Sequence, residues 1–364
     1  MNTAAKPSQT TSQTTSTARW KHRPEGSNWG DFGPNDQIGR LNLLTPQRVL
    51  AGVAEVQEGL TFCLSLPLDY PGGNLLNPRR HPPILRPTLR NGKVNFNYRL
   101  ADDNPRFTDM LNDDAVILHT QYSTQWDALC HVGQLFDADG DGTPEPRYYN
   151  GFRPGYDVQG PSDVNDAGAV GTVPAKNTSY ARALGIENMA AACVQGRGVM
   201  IDLHAHFGDA HTYVGYDKLM RVMEADQVTV EPGDMVCLHT GFGQLIMDMQ
   251  RQPDAHRLEN SCTVLDGRDE RLLQWVIDSQ LSVLVADNYA VEGMPASEGL
   301  GSCAMVPLHE LCLFKLGVHL GELWHLTPLA SWLRAHRRSR FLLTAPPLRL
   351  PGAVGSPANP IATV

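Results

Sequence analysis

Gln121-Tyr-Ser-Thr-Gln-Trp-Asp-Ala-Leu-Cys-His131 is the stretch around which the rest of the chain can be read. It follows an apolar run, Ala115-Val-Ile-Leu118, that reads as a buried strand. Four ligand-capable side chains then arrive in quick succession: Gln121, Gln125, Asp127 and His131. At spacings of two to four residues, a short turn or helical start would aim them at one point. Burying each without a partner would cost about 1–3 kcal/mol. The cluster therefore lines a cleft or forms a fully bonded structural knot.

Outward from this stretch the residues resemble a known family. Gln121–His131 is similar to the motif H-x-G-T-H-x-D-x-P-x-H of the cyclase hydrolases, which include kynurenine formamidase-like and isatin hydrolase-like enzymes. Thr124, Asp127 and His131 match it; Ser123 replaces the Gly and Leu129 the Pro. Gln121 and Gln125 stand where the family has two metal-ligand histidines, which makes this a divergent branch. The resemblance continues through Gly196-Arg-Gly-Val-Met-Ile-Asp202, Pro232-Gly-Asp234, Ala286-Asp-Asn288, Pro307-Leu-His309, Gly321-Glu322 and Gly355-Ser-Pro357. It spans most of the chain from about Trp29 onward.

The resemblance implies an α/β protein with a swivelling β/β/α fold, one domain over residues 19–364, in a homo-oligomer. It implies a hydrolase acting on a C–N or C–O bond of a small cyclic amide, lactone or N-acyl compound. Carried over by position, Gln121, Gln125, Asp127 and His309 would hold a divalent metal, manganese or zinc. His131 would be the proton shuttle, oriented by Asp127 or Glu322. Amide oxygens are neutral and hard, so such a shell should bind zinc more weakly than two imidazoles would. A metal-free isomerase, lyase or cyclase using the same His and Asp is the alternative, and a binding protein that kept only the fold is a third.

Composition narrows the class. The chain has 364 residues, 41% of them hydrophobic, enough for a sizeable core. A net charge of −9 without a basic patch argues against nucleic acid. No apolar run reaches the roughly 18–20 residues of a membrane span. Seven cysteines without paired spacing point to reduced thiols and a cytoplasmic protein. Residues 1–18, rich in Ser, Thr and Gln, read as a disordered tail.

Further along, Thr45-Pro46 should start a helix running to about Gln57, and Thr61–Leu66 should be a strand. Pro67–Asn112 reads as a long irregular insertion, a lid, a subunit contact or a plain surface loop. Strands are expected at Gly198–Leu203, Met235–Leu238, Leu281–Ala286 and Phe341–Thr344. Helices are expected at Ala181–Val194, Tyr216–Ala225, Arg268–Gln280, Leu308–Leu316 (closed by Gly317) and Thr327–Ala335. That alternation is α/β.

Three local patterns invite chemistry and have plainer readings. His204-Ala-His206 at a strand's end could supply nitrogen ligands, or only hydrogen-bond. Asp137-Ala-Asp-Gly-Asp-Gly142 mimics a calcium loop, but its twelfth position would be Tyr148, so a tight polar turn is expected. Cys130 beside His131 reads as an inert buried thiol.

Overall fold

Among the residues that the computed structural model describes, 19–168 and 177–364, nine strands form one mixed sheet. The tail expected over 1–18 lies outside the described residues. In chain order the strands are β1 (Thr61–Cys63), β2 (Gln125–Asp127), β3 (Gln195–Asp202), β4 (Met235–His239) and β5 (Val283–Ala286). They are followed by β6 (His319–Glu322), β7 (Arg340–Thr344), β8 (Gly355–Pro357) and β9 (Ile361–Thr363). Across the sheet the order is β1-β9-β7-β3-β4-β5-β6-β2-β8.

The middle four, β3 to β6, run parallel to one another. Their sequences explain this: β5 and the first four residues of β4 are unbroken apolar runs, and both strands are buried along their whole length, as strands covered on both faces must be. Helices over Pro46–Val53, Tyr216–Ala225, Glu270–Ser279 and Thr327–Ala335 accompany the sheet. One buried cluster draws side chains from Trp29 to Val364. Among the described residues, no helix is long and apolar enough to cross a membrane.

A buried ion pair ties two of the central strands. Arg197 on β3 donates to both carboxylate oxygens of Asp234, just before β4, at 2.9 and 3.1 Å. Asp234 also accepts from the Glu231 amide at 2.7 Å, so Pro232-Gly-Asp234 is a structural knot.

Three expectations need correction. Gln121–His131 was expected to open as a turn or helix, yet its centre is a strand, antiparallel to both β6 and β8. Alternation then puts Gln125 and Asp127 on one face, while Trp126 is buried and donates to the Ala345 carbonyl at 2.8 Å. The run at 115–118 is a strand, Asp114–Ile117, but an exposed one: it pairs with Ile84–Pro87 on the insertion, away from the core. The helix expected over 181–194 shrinks to Ile186–Ala191, because Tyr180–Ala181 pairs with Val158–Gln159 instead.

The segment after β5 matters most for the site. Pro307–His309 begins as an α-helix and widens into a π-helix over Glu310–Leu316. Gly317 closes it at φ 61°, and a Cβ there would lie 2.6 Å from the Gly39 Cα. Only glycine tolerates both that conformation and that contact.

Candidate active site

The register of β2 against β6 sets the centre. Gln125 lies opposite Glu322, and its side-chain amide donates to the Glu322 carboxylate at 2.8 Å. Two residues on, Asp127 accepts from the Gln121 amide. His309, on the first turn after Pro307, donates from Nε2 toward Glu322 at 3.3 Å. Ligand atoms of Asp127, His309 and Glu322 all fall within 4.8 Å of one another. All three residues are buried. His131 lies beside this group, its Nε2 3.9 Å from Asp127 and its side chain 25% exposed. Thus Gln121, Gln125, Asp127, His131, His309 and Glu322 do converge.

Glu292 is too loosely placed in the sequence to be assigned a role there. Its buried carboxylate accepts from His309 Nδ1 at 2.9 Å, and from the backbone amides of Leu308 at 3.0 Å and His309 at 2.9 Å. A free helix N-terminus facing an acid is the signal that could have found it. Asn288 fixes the loop that carries Glu292, donating to Thr263 at 3.0 Å and Val291 at 3.3 Å.

Electrostatics follow from this packing. Burial alone would push the His309 imidazole down, but Glu292 and Glu322 on its two nitrogens raise its pKa to about 10. It is therefore an imidazolium between two carboxylates. Burial pushes Glu322 up, but the bond to His309 together with the charges of His309, Arg80 and His131 outweighs it and holds the group below the ordinary range. Asp127 goes the other way, raised by burial more than its neighbours lower it. Two buried oxygens here, Asp127 Oδ2 and Gln125 Oε1, have no hydrogen-bond partner. Orphaned oxygens beside a second carboxylate suit a hard divalent cation. The donor set thus fits a metal, with oxygens as its readiest ligands. His309 could add a nitrogen only after giving up the proton that Glu292 and Glu322 hold on it.

The neighbouring motif residues are structural. Thr124 accepts from the Leu66 amide at 2.8 Å and donates to the Leu323 carbonyl at 2.5 Å, and Ser123 donates to Pro67 at 3.2 Å. Cys130 donates to the Leu184 carbonyl, and burial pushes its thiol up to about 12. Asp287 accepts from the Thr240 amide and hydroxyl and from the Gly241 amide. His204 and His206 lie on a short helix, Leu203–Phe207, each on its own carboxylate, Asp209 at 2.8 Å and Asp226 at 3.0 Å. Asp137 accepts three backbone amides of its own loop, the polar turn expected there, with Asp139, Asp141 and Glu145 close by.

Comparison with known proteins agrees with this architecture. The Cyclase family model matches residues 64–293. Among solved structures, one of a novel cyclase is 30% identical at a TM-score of 0.68, covering 93% of this chain and 97% of its own. Isatin hydrolase A from Labrenzia aggregata, bound to benzyl benzoate, is 12% identical at a TM-score of 0.51, over 87% and 97% of the two chains. Isatin hydrolase A from Ralstonia solanacearum, at 14% identity, gives the same TM-score and coverages. At such low identity these two show a shared fold. No protein of curated function matches the sequence.

Proposed function

The chain belongs to the cyclase family, and from that premise we propose that it is a metal-assisted hydrolase. Its substrate would be a small cyclic amide, lactone or N-acyl compound, cleaved at a C–N or C–O bond. The observation that carries this reading is the pair of orphaned buried oxygens, Asp127 Oδ2 and Gln125 Oε1, beside Glu322. Asp127, Gln125 and Glu322 would hold the ion, with Gln121 and His309 at its edge. A divalent ion there supplies Lewis-acid chemistry: it polarises a carbonyl and eases deprotonation of water.

The chain's own residues do the rest. His131, the half-open imidazole of the centre, takes the proton from the attacking water and returns it to the leaving group. Asp127, 3.9 Å away, orients that ring. Glu292 and Glu322 pin the His309 ring from both sides. Gln121 and Gln125 brace the two carboxylates through their amide groups. The working unit is one domain across residues 19–364, in a cytoplasmic homo-oligomer with a small-molecule substrate.

One observation favours the second reading, a metal-free isomerase, lyase or cyclase. The His309 imidazolium and the two amide groups already offset much of the centre's negative charge. Screening cyclic amides, lactones and N-acyl anilines by pH-stat, with and without a chelator, separates the two. Hydrolysis lost on chelation and restored by manganese supports the proposal. Turnover indifferent to chelator, or a product isomeric with its substrate, supports the alternative.

A further inference from the structure

Two cavities border the centre, and their walls meet. The larger, about 600 Å³, is lined largely by apolar side chains, Leu75, Phe242, Leu258 and Val264 among them, and includes Glu292. The smaller, about 10 Å³, has Gln121 and Arg80 in its wall. Leu76 and Tyr289 stand in both walls, so the small space is an annex of the large one. Its volume suits a group about the size of one water.

The annex differs in charge from the centre it adjoins. None of its lining residues is Asp or Glu. Arg80 uses one N–H on the Gln121 carbonyl, at 2.7 Å, and among the described residues it makes no ion pair. A guanidinium has five N–H donors, so most of its capacity is left over. Tyr289 accepts from the Asn77 amide at 2.9 Å and keeps its own hydroxyl proton to give. Glu322, whose carboxyl Arg80 helps to hold down, lies outside this lining, and the donors left over on Arg80 and Tyr289 make a site for one anionic oxygen.

We infer that the substrate carries a carboxylate on an apolar body, with one carboxylate oxygen held by Arg80 and Tyr289 in the annex and the body filling the larger cavity. This rests on the centre between the cavities being the reacting site. Gln121 links the annex to Asp127, and Glu292 links the larger cavity to His309. A molecule spanning both spaces passes Leu76 and Tyr289 and so lies beside the centre, with Gln121 and Glu292 between them.

The probe is 2-naphthoate against 2-naphthamide, alike in shape and different in charge, titrated calorimetrically into the full chain with and without chelator. The wild type should bind the naphthoate about tenfold more tightly, the worth of one charge-assisted pair. Arg80→Gln should bring the two affinities to within about twofold with the naphthamide unchanged, and Arg80→Lys should keep part of the preference. Thermal melting checks that each variant folds. Equal affinities in the wild type, a preference that survives Arg80→Gln, or no binding of either probe at millimolar concentration would overturn the inference. So would a preference that chelator abolishes, since the carboxylate would then sit on an ion. A preference that persists in chelator stands even if the metal-assisted reading fails.

Discussion

His131 is the one imidazole of the motif, and its Nε2 lies 3.9 Å from Asp127 with its side chain 25% exposed. His131→Ala should lower turnover about 10²–10⁴-fold, the usual loss for a general acid or base, with no change in melting temperature. A variant that keeps a third of wild-type turnover would remove His131 from the mechanism. Gln121 and Gln125 were legible as departures from the family's pattern. Their present role was not: amide groups that brace Asp127 and Glu322 cannot be read without the register of β2 on β6. Gln121→His with Gln125→His should tighten zinc binding, because imidazole is the better zinc ligand. Competition against a chelator measures this, and no tightening would mean that the two positions do not face the ion. Glu292 could not be assigned from its sequence position, and Arg80 escaped sequence reading, because their roles arise from a fold that brings distant loops together.

At the scale of elements, the central strands were legible because their apolar runs admit one explanation. β4 and the helices over Tyr216–Ala225 and Thr327–Ala335 lie within a residue of where the pattern puts them. The motif strand was misread because three residues carry too little period to tell strand from turn. The 114–117 strand was misplaced because apolar content does not say what covers it; here it pairs out on the insertion. Pairings such as Arg197 with Asp234 are also invisible to periodicity, yet they set the spacing of strands. Arg197→Ala leaves Asp234, fully buried, without its cation, and should cost about 3–5 kcal/mol in denaturant unfolding. A loss under 1 kcal/mol would show that the pair is incidental. Glu231 shares that cation and also meets Arg48 and Arg340; together they hold its carboxyl down at about 2.

For the molecule as a whole, the fold class was legible and acid sensitivity was not. His319 on β6 is fully buried, its Nδ1 has no partner, and burial lowers its pKa from 6.5 to about 3. Between those two values the unfolded chain binds a proton that the folded chain refuses, so stability falls as pH drops through that window. His319→Leu should flatten the decline in melting temperature between about pH 6.5 and about pH 3. Identical slopes in variant and wild type would assign acid unfolding to other groups.

The central claim is that Asp127 and its neighbours hold a divalent ion, and manganese titrated calorimetrically into chelator-stripped protein tests it most directly. The account predicts one ion per chain in the wild type. It predicts binding at least about tenfold weaker in Asp127→Asn, which removes a negative ligand and keeps the shape. No binding in the wild type, or equal affinity in the two proteins, would contradict it.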